Sequence, residues 1–151
     1  MIIREDDLSG AAIRELLALH LSQMQANSPP GLSFALDLSG LQRPDVTVWT
    51  AWDGEALAGT GALKALGGGV GEIKSMRTHP DYLGRGVGAQ MLEHIIGVAL
   101  ERGYHRLSLE TGTGPAFEAA LALYRKRGFV AGEVFGDYQP SDFNQMLHLA
   151  L

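Results

Sequence analysis

Residues 79–96 read HPDYLGRGVGAQMLEHII, with glycines at 84, 86 and 88 immediately ahead of a run whose apolar residues recur at helical spacing. Glycine at alternate positions keeps side chains away from the backbone, and the start of a helix adds unpaired N–H groups and the positive end of its dipole. Gly84, Gly86 and Gly88 therefore offer a place for an anion, with Arg85 available to add a cation. Each favourable charge at such a terminus contributes ~0.3–1 kcal/mol, so a pyrophosphate touching several amides gains affinity without help from side chains. The plainer reading is that the glycines only turn the chain. The flanking elements decide between the two.

Working outward, GEIKSMRT (71–78) reads as the strand before the loop, and the helix after it runs to about Arg102, packing Leu92, Ile95, Ile96, Ala99 and Leu100. RLSLET (106–111) reads as a buried strand. PAFEAALALYRKRG (115–128) reads as a helix with Pro115 in its first turn and Gly128 as its cap, followed by strands in FVAGEVF (129–135) and NQMLHLAL (144–151). On the other side, VTVWTAW and ALAGTGALKAL flank Asp53-Gly54, a pair suited to a tight hairpin, and a second turn falls at GGG (67–69). The N-terminal part offers a strand, IIRE, and then an amphipathic helix to about Gln25, with Asp6 to Ser9 as candidate caps and Ile13, Leu16, Leu17, Leu21 and Met24 on one face. Residues 26–45, broken by Pro29, Pro30, Gly31, Gly40 and Pro44, suit a surface loop with at most a short helix. The expected fold is α+β, a mixed central sheet of about six to seven strands flanked by helices around a β-α-β unit, in a single domain spanning 1–151.

Composition narrows the function. The net charge of −5 and the lack of a clustered basic patch argue against nucleic acid as partner. The absence of cysteine excludes disulfides, zinc-thiolate sites and thiol nucleophiles. No signal-like or membrane-length apolar segment is visible, so no membrane partner and a cytoplasmic setting are expected. His20, His79, His94, His105 and His148 show no metal-type pairing, and no metal is assigned.

With those elements in order, the run from Glu72 to Phe129 resembles the acyl-CoA-binding core of the GNAT superfamily of N-acetyltransferases: strand, HPDY, glycine loop, long helix, strand, and a helix ending LYRKRGF. The family loop reads Gln or Arg, two residues, Gly, one residue, then Gly or Ala. Gly86 and Gly88 match it, whereas Leu83 stands at the Gln/Arg position. The resemblance implies acetyl-CoA as acyl donor. It places the pyrophosphate on Gly84, Arg85, Gly86, Val87, Gly88 and Ala89, and the donor to the tetrahedral oxyanion among the backbone N–H groups of Met76, Arg77 and Thr78. It further implies direct transfer to a small-molecule amine in a ternary complex, with a homodimer left open.

Such a transfer sets its own requirements. An alkylammonium with a pKa of ~10.4 has no lone pair at neutral pH, and removing its proton there costs about 4–5 kcal/mol. Glu72 is similar in position to the glutamate that serves as general base in several family members, directly or through water; paired with Lys74 it would instead be a solvated strand-end carboxylate. Tyr124 resembles the family tyrosine that protonates the leaving thiolate, and the same phenol also suits a plain core position beside Leu121. Trp49 and Trp52 fall on opposite faces of one strand, one for the core and one within reach of substrate. Phe135, Gly136 and Tyr138 are candidates to line the acceptor pocket. Two other readings stay open. A non-catalytic acyl-CoA-binding or sensing module would keep the loop without needing Glu72 and Tyr124 together. A dinucleotide-binding domain would use Gly84, Gly86 and Ala89 as GxGxxA, with Glu110 as a ribose-binding acid, although His79 to Leu83 intervene between strand and glycine.

Overall fold

The computed structural model describes residues 1–151. In chain order the elements are β1 Ile2–Glu5, α1 Ala11–Ala26, α2 Leu38–Leu41, β2 Val46–Asp53, β3 Ala56–Gly67, β4 Val70–Thr78, α3 Val87–Glu101, β5 Arg106–Thr111, α4 Glu118–Arg127, β6 Val130–Ala131 and β7 Gln145–Ala150. The strands form one mixed sheet in the order β1-β2-β3-β4-β5-β7-β6. The pair β4 and β5 is parallel and the rest are antiparallel, so α3 is the crossover of the expected β-α-β unit. The β2–β3 turn has Gly54 at φ +59°, the left-handed backbone an Asp-Gly pair supplies.

The two faces of the sheet carry different loads. On one, α3 buries Met91, Leu92, Ile95, Ile96 and Ala99 in a cluster with Ile73, Leu107, Leu109 and Leu147. On the other, α1 and α2 bury Ile13, Leu16, Leu17 and Leu41 against Val48, Leu57 and Ala62. Trp49 belongs to the first cluster and Trp52 packs against the second, so the two do lie on opposite faces; Trp52 stacks under Arg4 at 4.6 Å. Neither lines the cleft that opens between β4 and β5.

Three local expectations are corrected. The cap of α1 is Gly10, with no side-chain hydrogen bond, because Asp6 and Asp7 spend their carboxylates on the preceding turn, accepting from the N–H groups of Leu8 and Ser9. FVAGEVF forms a strand only at Val130–Ala131: past Gly132, which hydrogen-bonds Met146, the chain turns over the sheet. The PAFE helix opens as a 3-10 turn over Pro115–Phe117 before α4 begins.

Two irregularities in β4 shape the middle of the sheet. Its pairing with β5 covers only Val70, Gly71 and Glu72 opposite Arg106, Leu107 and Ser108, after which the strands separate. Its register with β3 also slips, Ala62 facing Lys74 and Thr60 facing Arg77, so Gly61 alone opposes Ser75 and Met76. A Cβ on Gly61 would come within 2.7 Å of Met76 Sδ and Met91 Cγ and 3.0 Å of Ile95 Cδ1. Gly61→Ala is therefore expected to destabilise the fold by about 1–3 kcal/mol through overpacking, measured as a lower denaturant midpoint at unchanged slope.

Candidate active site

The separation of β4 and β5 opens a cleft of about 370 Å³ through the middle of the sheet. Ile73 to Thr78 form one wall and Leu109 to Gly112 the other. Gly84, Val87, Gly88 and Met91 at the start of α3 and Ala119, Ala120, Leu123 and Tyr124 of α4 also line it, as do His20, Met24, Leu32, Phe34 and Phe143.

At the α3 end the glycines have separate tasks. Gly84 and Gly86 hold φ of +75° and +80°, conformations that L side chains rarely adopt, and Gly86 caps α3 without any side-chain hydrogen bond to its first-turn amides. Gly88 is needed for a different reason: a Cβ there would sit 3.2 Å from Leu123 Cδ2, so its absence lets α3 and α4 approach. Gly84, Val87 and Gly88 line the cleft, while Arg85, Gly86 and Ala89 stand outside its lining. The Arg85 guanidinium lies over the Tyr82 ring at 5.1 Å. Leu83 is 67 % exposed at the rim, offering apolar surface where the family has a long polar side chain.

Met76, Arg77 and Thr78 all line the cleft, and so does Ser75, which belongs to no recognisable sequence motif. Ser75 is held at φ +54°, left-handed for a residue with a Cβ, which costs on the order of 1–3 kcal/mol. Its hydroxyl is buried without a hydrogen-bond partner. Tyr124 lines the same cleft with 5 % of its surface exposed and its ring edge-on to Phe129 at 5.6 Å. Burial pushes its phenol above the ordinary value, so it keeps its proton at neutral pH.

Glu72 is 3 % exposed, not solvated, and its partner is indeed Lys74, whose ammonium donates to Oε2 at 3.2 Å. The Tyr138 hydroxyl donates to the same oxygen and accepts from Lys74 Nζ at 2.9 Å. Tyr138, Phe135 and Gly136 thus stand behind the cleft, and Phe143 is the aromatic of that segment that lines it. Glu72 is also absent from the lining; Lys74 and Glu110 are present. Glu110 accepts from Asn144 Nδ2 at 2.6 Å. Its pKa is raised, chiefly by burial and less by Glu72, with Asn144 and Lys74 opposing the shift. It stands two residues beyond Ser108 on β5, and that period-two spacing was the available signal that it shares a sheet face with another polar residue.

Opposite these carboxylates, α1 engages the end of β4. Arg77 Nε donates to His20 Nδ1 at 2.9 Å and Nη1 to Gln23 Oε1 at 2.7 Å. Burial first, and the Arg77 charge second, push the His20 pKa down to about 4 from 6.5. The unfolded chain therefore binds a proton at this residue between those values when the folded chain does not, so the neutral imidazole's contribution is complete above pH 6.5 and is lost as pH falls toward 4. The expected size is roughly 3 kcal/mol. His20→Gln, which keeps an acceptor for Arg77, should flatten the slope of unfolding free energy across that window, as measured by denaturant titration at stepped pH.

Comparison with known proteins agrees with this geometry. Residues 13–129 match the acetyltransferase (GNAT) family. The chain is 50 % identical over 149 residues to the uncharacterized N-acetyltransferase YedL of Escherichia coli K12, covering 99 % of this chain and 94 % of that one. A crystal structure from Klebsiella pneumoniae superposes with a TM-score of 0.79 at 26 % identity, covering 99 % of this chain and 97 % of that one. A GNAT family acetyltransferase from Elizabethkingia anophelis with acetyl-CoA bound superposes at 0.70 with 17 % identity, over 99 % and 97 % of the two chains. The dinucleotide alternative fails on topology, since β4 and β5 are the sheet's single parallel pair. A family match over residues 13–129 and a relative 50 % identical over nearly the whole of both chains, alongside a glycine-led helix over a cleft between parting parallel strands, make one conclusion plain: the chain belongs to the GNAT family and is an N-acetyltransferase.

Proposed function

We propose that the enzyme transfers an acetyl group from acetyl-CoA to a primary amine of a small molecule by direct attack in a ternary complex in the cytoplasm. The observation that carries this reading is the cleft itself, which reaches Tyr124 at the α3–α4 end and Glu110 on β5 without interruption. Residues present fit the donor. The first-turn amides of α3 have no side-chain cap to compete for them, and past Glu72 the edge of β4 is free of β5 and can pair with an extended amide-bearing arm. Acetyl-CoA supplies a thioester, an acetyl group activated for attack by an amine.

The residues divide the proton work. Glu110 takes a proton from the incoming ammonium; it faces the cleft, and its raised pKa makes it a better base than an ordinary surface carboxylate. Glu72, the position expected from the family, acts from behind, holding Lys74 by charge so that the ammonium does not neutralise Glu110 fully. The amine nitrogen then attacks the carbonyl carbon, a backbone N–H in the Met76–Thr78 segment donates to the developing oxyanion, and the C–S bond breaks as Tyr124 delivers its phenolic proton to sulfur; the second proton of the amine, released as the amide forms, restores the phenol. Gly84, Arg85, Gly86, Val87, Gly88 and Ala89 hold the pyrophosphate, chiefly through main-chain amides, so Leu83 in place of a polar residue removes only one side-chain contact.

Calorimetry with CoA is the first test: a measurable binding heat is expected, and a flat titration overturns the proposal. Tyr124→Phe should leave CoA affinity within about twofold while turnover drops on the order of 10²-fold, and the loss should shrink with an acyl donor that has a better leaving group. A loss equal for every donor would make Tyr124 a packing residue.

The carboxylates are separated by their pH profiles. Glu110→Gln is expected to lower kcat/KM about 10²–10⁴-fold near neutral pH, with partial recovery at alkaline pH. Glu72→Gln frees Lys74 for Glu110, lowers that group's pKa, and should move the rising limb of the profile to lower pH with a smaller loss. A larger loss in Glu72→Gln than in Glu110→Gln would return the role of base to Glu72.

A further inference from the structure

We infer that the acceptor of this acetyltransferase carries a carboxylate beside its amine, and that Arg77, with Ser75 as second donor, receives it. The inference rests on the function just proposed and names the substrate class.

Lys74, Arg77 and Glu110 line the cleft, with Glu72 behind. Lys74 is already matched by Glu72 at 3.2 Å. What remains is one cation and one anion, Arg77 and Glu110, on opposite walls and not paired with each other. None of the chain's carboxylates lies within ion-pair distance of Arg77. Its two partners, His20 and Gln23, are uncharged, since burial keeps the imidazole neutral at physiological pH. A half-buried guanidinium with only neutral partners keeps its full charge available, and removal from water without an anion is unfavourable.

Unsatisfied donors point the same way. Arg77 Nη2 is shielded from solvent and has no partner, and two residues earlier the Ser75 hydroxyl is in the same condition. Buried polar atoms are almost always satisfied, and an unsatisfied one in a native fold calls for an explanation. Here both belong to residues of one strand that line one cleft. The slip of β4 against β3 explains why Arg77 is available: it puts Lys74 and Arg77, three apart, on the face opposite Ile73 and Met76, so both cations meet the α1 side instead of the apolar core under α3. His20 and Gln23 of α1 then fix the guanidinium through Nε and Nη1, leaving Nη2 as the free donor.

A carboxylate supplies the acceptors that both donors lack, and an ammonium supplies a counter-charge to Glu110 on the far wall. A molecule bearing both within a few bonds is a free amino acid or a close relative. Leu32, Phe34 and Phe143 in the same lining favour an apolar side chain on it.

The test uses matched acceptors with the purified full chain and acetyl-CoA: L-phenylalanine and L-methionine against their carboxamides, monitored by thiol release. Binding of the N-acetyl acids and N-acetyl amides to the CoA-loaded protein gives a readout independent of turnover. The wild type should prefer the acid in kcat/KM by about 10- to 100-fold, the range for a hydrogen bond to a charged group. Arg77→Gln should erase that preference and leave the CoA dissociation constant unchanged. Arg77→Lys should recover part of it, and Ser75→Ala should reduce it less than Arg77→Gln does. A protein that binds CoA but shows no preference for the carboxylate in either assay overturns the inference and leaves the acetyltransferase reading standing. So does an Arg77→Gln variant, folded by its thermal midpoint, whose loss falls on CoA affinity. A wild type that does not bind CoA overturns that underlying reading and the inference with it.

Discussion

Everything functional in this molecule depends on two parallel strands that stop pairing. β4 and β5 share hydrogen bonds only as far as Glu72 and Ser108, and beyond that point each leaves main-chain N–H and C=O groups without a strand partner on the inner edge. Such groups are unfavourable inside a protein unless something satisfies them. The crossover helix α3 begins over the same gap, with uncapped first-turn amides. A cleft with backbone donors on its walls and a helix N-terminus at its end is thus a direct product of sheet topology, before any side chain is considered.

The side chains then divide by face. Ile73, Leu107 and Leu109 continue the apolar core under α3, while Glu72, Lys74, Ser108 and Glu110 form a polar belt on the other side, joined to Tyr138, Asn144 and His148. This belt is balanced locally. Lys74 and Tyr138 saturate one oxygen of Glu72, and Asn144 supports Glu110 while desolvation raises its proton affinity. Two carboxylates on adjacent strands are therefore placed differently, one paired with a lysine and a tyrosine behind the cleft and one facing into it. The bulge opposite Gly61 adds Arg77 to the polar side and strains Ser75, and tight packing of Met76 against α3 stabilises that arrangement.

Local signals in the chain predicted much of this. Alternating glycines before a periodic run, Asp53-Gly54, Pro115 and Gly128 each act through near-neighbour geometry, and each lies where that geometry places it. Misreadings arose where a remote partner intervened. Asp6 and Asp7 have the chemistry of helix caps but serve the turn before α1, with Asp6 also accepting from Thr50 on β2. FVAGEVF has strand composition but only Val130 and Ala131 find a partner in β7 before Gly132. From sequence, Glu110 is visible as a possible ribose-binding acid and as sharing a strand face with Ser108, but its neighbours Asn144 and Lys74 are 34 and 36 positions away.

The sequence by itself determined the order of elements and the β-α-β unit, since periodicity, turn chemistry and glycine spacing operate within a few residues, and the family entered as a resemblance of the run from Glu72 to Phe129. The tertiary structure alone decided which carboxylate faces the cleft, that Tyr138 backs Glu72, and that Arg77 and Ser75, both in its lining, hold buried donors without a partner. Those outcomes depend on where two strands part and on a one-residue slip of register, and both are set by packing between segments far apart in the chain.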